Sequence, residues 1–95
     1  MQTATVTITD PVGLHARPAA LLVQTVGHYK ARVQIAHGQR RADARSIIQL
    51  LGLGARLGSE ITVTAEGSDE AEALAAVVAL LGAAPQPRET DPGQR

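Results

Sequence analysis

The sequence predicts an open-faced α+β sandwich with elements in the order β-α-β-β-α-β-α. Three observations lead there. Strand-like stretches alternate polar and apolar residues with period two, so each has one apolar face and the sheet has one wet side. Denser apolar segments lie between them, bounded by residues that start and stop helices. The chain has 95 residues, 44% of them apolar, which is room for one small domain with a modest core.

Thr3 to Thr9 places Thr at every odd position, with Ala4, Val6 and Ile8 between. Such β-branched alternation reads as a half-buried strand. Asp10-Pro11-Val12-Gly13 breaks it. Ala16 to Val26 is dense in Ala and Leu, with Pro18 in the first turn and Gly27 after the last, the expected boundaries of a helix. Ala31 to Ala36 alternates again, with Val33 and Ile35 inward, and His37-Gly38 turns the chain into a short return strand over 39–44. Ser46 precedes Ile47-Ile48-Gln49-Leu50-Leu51, a short helix that Ser46 caps and Gly52 ends. Glu60 to Glu66 is the fourth strand, with Ile61, Val63 and Ala65 inward. Asp69 opens the last helix and pairs with Glu72 in a capping-box pattern; the apolar stripe is read at 71, 74, 75, 78 and 81. The domain is placed at 1–84, and the Pro-rich segment 85–95 is expected to be a disordered tail.

Composition excludes several functions. Lys+Arg and Asp+Glu are both 9, so the net charge is zero. A nucleic-acid binder would carry a basic surplus. Tyr29 is the single aromatic residue, so bases have no stacking platform. Without cysteine there is no disulfide, thiolate metal site or thiol catalysis. No apolar stretch approaches 18 residues, and the N-terminus has no signal-peptide layout, so a cytoplasmic location without membrane insertion is expected. His28 and His37 have no partner at metal-ligand spacing, and neither a metal nor a cofactor is expected. Gly52-x-Gly54-x-x-x-Gly58 is one residue too long for a dinucleotide fingerprint and follows a helix where a strand is needed.

Chemistry concentrates at Gly13-Leu14-His15-Ala16-Arg17-Pro18-Ala19, between the first strand and the first helix. A helix N-terminus offers unpaired amides and a partial positive charge, so it binds anions. The amides of Ala16 and Arg17 fall there, while Pro18 has no amide hydrogen and fixes the helix start. His15 stands at the cap. The positive field of the helix end and Arg17 favours its neutral, nucleophilic form. Arg17 adds a charge that suits a phosphoryl group. Together these suit a histidine that accepts a phosphoryl group and passes it on.

With Val6-Thr7-Ile8, Gly13 to Ala20, Arg45-Ser46-Ile47-Ile48, Leu53-Gly54 and Glu60-Ile61-Thr62-Val63 in place, the sequence resembles the histidine-containing phosphocarrier (HPr) family of the bacterial phosphotransferase system, over residues 2–82. The resemblance implies a four-stranded antiparallel sheet covered on one face by three helices. It implies phosphorylation of His15 on Nδ1 by enzyme I, which uses phosphoenolpyruvate, and delivery to IIA components of sugar permeases. Such a protein is a covalent relay rather than an enzyme, and it acts as a monomer. The resemblance further implies regulatory phosphorylation of Ser46 by an HPr kinase/phosphorylase, and partner docking on a face formed by Ala20, Gln24, Ile47, Ile48 and Leu51.

The residues themselves agree with a docking face. Four large apolar residues on so short a helix exceed one buried stripe, so Leu50 is placed inside and Ile47, Ile48 and Leu51 outside. Arg45 and Arg56 are candidates to steer an acidic partner. Val12 departs from the family, whose members often carry Ser or Asn there. Two rival readings are a regulatory binding module of the same fold, controlled through His15 or Ser46, and a small RNA-binding domain using the arginines between 40 and 56. The lack of aromatics and of net positive charge weighs against the second.

Overall fold

A computed structural model describes residues 1–82; the expected tail and the domain boundary at 84 lie outside the described residues. The elements are β1 (Gln2–Thr7), α1 (Ala16–Val26), β2 (Arg32–His37), β3 (Arg40–Asp43), α2 (Ile47–Leu51), β4 (Glu60–Glu66) and α3 (Glu70–Gly82). One antiparallel sheet forms, in the order β1-β4-β2-β3. The two central strands carry the larger inward side chains, Ile61 and Val63 on β4, Val33 and Ile35 on β2. The edge strand β3 supplies only Ala42 to the core.

The register makes the two faces explicit. Ala4, Val63, Ile35 and Ala42 form one row across all four strands, and it points into the core. The neighbouring row, Thr5, Thr62, Ala36 and Arg41, lies on the uncovered face. A one-residue slip would exchange these rows, so the apolar alternation fixes the register. All three helices pack on the core face: α3 against β1 and β4, α2 against β3, and α1 between α2 and α3. Leu22, Val26, Leu50, Val77 and Leu81 seal the layer. Among the described residues no helix is long and apolar enough to cross a membrane.

Three details differ from the sequence reading. Strand β1 ends at Thr7 rather than Thr9. Ile8 stays buried and donates its amide to Ser59 O at 2.9 Å, but the turn that begins at Asp10 draws the chain away from β4. The buried face of α3 is Ala73, Leu74, Val77 and Leu81, whereas Ala71 and Ala75 are exposed. Apolar residues surround this helix almost completely, so periodicity alone does not choose a face. Asp69 and Glu72 also form no capping box. The Asp69 carboxylate instead accepts the amides of Lys30 at 2.9 Å and Ala31 at 2.8 Å, tying the start of α3 to the start of β2. It is Glu70 that reaches back, accepting the Gly67 amide at 3.1 Å.

The Lys30 amide, followed by that of Ala31, holds the Asp69 carboxyl below the ordinary aspartate range. A depressed folded-state value contributes stability above the unfolded value of about 3.9 and loses it as pH falls through the folded one. Asp69→Asn, which keeps one acceptor and lacks the charge, should therefore melt several degrees below the wild type at neutral pH. The gap should close as pH drops below about 4. Thermal melts across pH 3 to 7 measure this; a gap that is constant with pH would show that the charge is not what holds the junction.

Candidate functional site

The segment between β1 and α1 is shaped by backbone pairing on both sides. Asp10 O accepts the Gly13 amide at 2.9 Å, and Asp10 Oδ1 accepts the Val12 amide at 2.9 Å, which closes a tight turn. The loop before β4 clamps it: Gly58 donates to Ile8 O at 2.9 Å, and Leu14 donates to Ala55 O at 3.1 Å. Gly13 has φ +86°, and a Cβ there would lie 2.7 Å from Ala55 O and 2.8 Å from Arg56 Cα. Only glycine fits both the backbone angle and the space. The Gly-rich loop from Gly52 to Gly58 is thus a structural brace for the turn.

His15 follows directly as the N-cap residue of α1, with extended backbone and no side-chain bond to the helix. Its imidazole therefore does not satisfy the first-turn donors. Ala19 N bonds to His15 O at 3.0 Å, Pro18 has no hydrogen to give, and the amides of Ala16 and Arg17 precede any helical partner. The His15 side chain is 36% exposed. Arg17 is exposed and makes no ion pair among the described residues. The sequence reading missed Asp10, whose Oδ2 lies 3.5 Å from His15 Nε2. This carboxylate opposes the positive field of the helix end, which was the one electrostatic influence the sequence argument weighed alongside Arg17. The signal was an acid in the same turn as His15; its aim could not be read without the turn geometry.

Beside the site, α1 and α2 pack together. Gln24 is exposed and Ala20 half-buried on α1; on α2, Ile47 is 40%, Ile48 84% and Leu51 41% exposed, while Leu50 is fully buried. Leu21 and Leu57 are exposed as well and were not singled out from sequence, and Val12, noted there only as a departure from the family, is exposed too. Leu21 was legible: Ala19, Leu22 and Val26 define the buried face of α1, and Leu21 is out of phase with it. Ser46 is half-buried and caps α2, its Oγ accepting the Gln49 amide at 3.2 Å.

Two of the arginines are committed internally. Arg45 donates to Val26 O at 3.2 Å, Tyr29 O at 2.8 Å and Ala31 O at 3.2 Å, so it closes the C-terminal end of α1 instead of facing a partner. Arg40 donates to Gly52 O at 2.9 Å, at the end of α2. His37 is likewise more than a surface residue, since its Nδ1 lies 2.8 Å from Leu53 O.

Comparison with known proteins identifies relatives. The family described as "PTS HPr component phosphorylation site" matches residues 2–83. The phosphocarrier protein HPr of Mycoplasma genitalium is 44% identical over 75 residues, 78% of this chain and 85% of that protein. A multiphosphoryl transfer protein of Xanthomonas campestris is 51% identical over 63 residues, 66% of this chain; the chain spans only 8% of that much longer protein. Among solved structures, HPr from Thermoanaerobacter tengcongensis superposes with a TM-score of 0.81 at 38% identity, covering 85% of this chain and 91% of that one. The Crh protein of Bacillus subtilis, a swapped dimer in its crystal, gives 0.68 at 36% identity, covering 84% and 92%.

Arg45→Met keeps the apolar stem and removes three hydrogen bonds to carbonyls. It should lower unfolding free energy by about 1–3 kcal/mol, the cost of leaving such acceptors unpaired. Urea denaturation reads this directly; an unchanged midpoint would place Arg45 among the solvated surface charges.

Proposed function

The chain belongs to the HPr phosphocarrier family of the phosphotransferase system, and on that premise we propose that it relays a phosphoryl group through His15. The donor is enzyme I charged by phosphoenolpyruvate, and the acceptors are IIA components of sugar permeases. The carrying observation is a half-exposed imidazole at a helix N-terminus whose first amides it leaves open. In the forward step the Nδ1 lone pair attacks phosphorus, the Nδ1–P bond forms, and the bond from phosphorus to the donor breaks. The amides of Ala16 and Arg17 and the Arg17 guanidinium receive the phosphoryl oxygens. The same geometry run backwards delivers the group to an acceptor.

A carrier must be usable by several partners, and a half-exposed nucleophile at a helix end permits that. The partner's own site completes the transition-state environment. Gln24, Ile47, Ile48 and Leu51, with Ala20 at the rim, form the docking face, joined by the exposed Leu21. A small, apolar and transient interface of this kind suits alternating partners. The relay works in the cytoplasm as a monomer, without metal or cofactor. An HPr kinase/phosphorylase acting on Ser46 would regulate it. Ser46 lies beside Ile47 and Ile48, so a phosphate there burdens docking while remaining compatible with the start of α2.

His15→Ala should stay folded and take no label from enzyme I and labelled phosphoenolpyruvate, and Arg17→Ala should slow transfer in both directions. Label retained by His15→Ala would remove the proposal. Onward transfer from the labelled wild type to a IIA protein separates a carrier from a regulatory module of the same fold. Ser46→Asp should keep its melting temperature yet lose about ten- to a hundredfold in kcat/KM with enzyme I, from repulsion and desolvation of about 1–3 kcal/mol. Equal efficiency for Ser46→Asp and wild type would leave Ser46 as a helix cap alone.

A further inference from the structure

We propose that Asp10 is a positioning residue that holds the His15 ring in the tautomer with hydrogen on Nε2, keeping the Nδ1 lone pair available; the kinetic part of this inference rests on the proposed phosphoryl-carrier reading. The two carboxylate oxygens of Asp10 have separate tasks. Oδ1 accepts the Val12 amide at 2.9 Å, which fixes the carboxylate within the turn. Oδ2 is thereby presented to His15, 3.5 Å from Nε2. The backbone of Asp10 is fixed too, since its carbonyl accepts the Gly13 amide and Gly13 is wedged against Ala55 and Arg56.

A carboxylate can only accept hydrogen bonds, so its presence at Nε2 favours the ring form carrying hydrogen there. In a neutral imidazole the other nitrogen is then the acceptor, and here that is Nδ1. Orientation of a functional histidine by an acceptor at its second nitrogen is a general device. At 3.5 Å the contact is longer than a closed hydrogen bond, and it can tighten as the ring acquires charge.

The transfer step is consistent with this placement. When Nδ1 attacks phosphorus, the Nδ1–P bond forms and the bond to the leaving group breaks. Nε2 keeps its hydrogen, and the ring becomes cationic. Asp10 then faces the new positive charge from the side of the ring opposite the phosphoryl group. It touches neither phosphorus nor its oxygens and acts only through His15.

Asp10→Asn tests this cleanly. The variant's Oδ1 still accepts the Val12 amide, so the turn persists, while an amide NH₂ replaces the oxygen facing Nε2. That group donates, which favours hydrogen on Nδ1 instead. Two measurements decide. The first is the ¹⁵N NMR spectrum of the neutral His15 ring: wild type should carry its hydrogen predominantly on Nε2, and Asp10→Asn should shift toward Nδ1. The second is the rate of phosphorylation by phosphoramidate, a small donor that needs no partner protein and releases ammonia as the Nδ1–P bond forms. Asp10→Asn should be about ten- to a hundredfold slower, as when the second-nitrogen partner of a functional histidine is lost. A wild-type ring with hydrogen mainly on Nδ1, identical tautomer ratios in the two proteins, or equal phosphoramidate rates would each overturn the assignment. Enzyme I that fails to phosphorylate a wild type competent with phosphoramidate would refute the relay and leave the role of Asp10 intact. The tautomer ratio decides even for a ring that accepts no phosphoryl group.

Discussion

The structure depends on one steric constraint, the contact of Gly13 with the backbone of Ala55 and Arg56. There is no room for a side chain at that point, and the φ of +86° excludes most residues on its own. Because the turn is pressed against the loop before β4, the ladder between β1 and β4 continues into paired bonds at Ile8 and Leu14. His15 therefore emerges from a braced segment, although it lies outside regular secondary structure. A functional side chain on a loop gains positional accuracy when its neighbours' backbone groups are all committed. The sheet and the three helices matter to the site chiefly because they hold the two halves of this clamp together.

The helices show a matching asymmetry. The N-terminus of α2 is satisfied by Ser46, and the far end of α1 by Arg45. The N-terminus of α1 is left without a side-chain cap, although a cap there would contribute about 1 kcal/mol. Placing an imidazole in the cap position and a proline in the first turn keeps that end open to an anion. Stability forgone at this helix end agrees with a site set aside for ligand charge.

Much of this was legible in the sequence, for identifiable reasons. Period-two alternation located the strands because each has one buried face, and Ser46 and Gly52 bounded α2 to the residue. The buried stripe of α3 was misplaced because Ala, Leu and Val surround that helix, so its register is set by packing of Ala73 and Val77 onto the sheet. Asp69 was assigned a local task because capping patterns are local, whereas its carboxylate bonds to residues 38 and 39 positions away. Arg45 was placed among the candidates to steer an acidic partner for the same reason: its three carbonyl partners come together only in the folded chain. At the site, His15 and Arg17 were legible from the motif. Asp10 was not, since its relation to Nε2 depends on a turn whose form is dictated by Gly13 and the loop from Ala55.

The central claim is that His15, held at an uncapped helix end, is the atom-specific acceptor of a phosphoryl group. A ³¹P–¹⁵N correlation spectrum of the protein after incubation with enzyme I and phosphoenolpyruvate tests it most directly. The account predicts a single phosphorus resonance coupled to Nδ1 of His15. A phosphorus coupled to Nε2, a phosphoryl group on His28 or His37, or no phosphohistidine signal at all would contradict it.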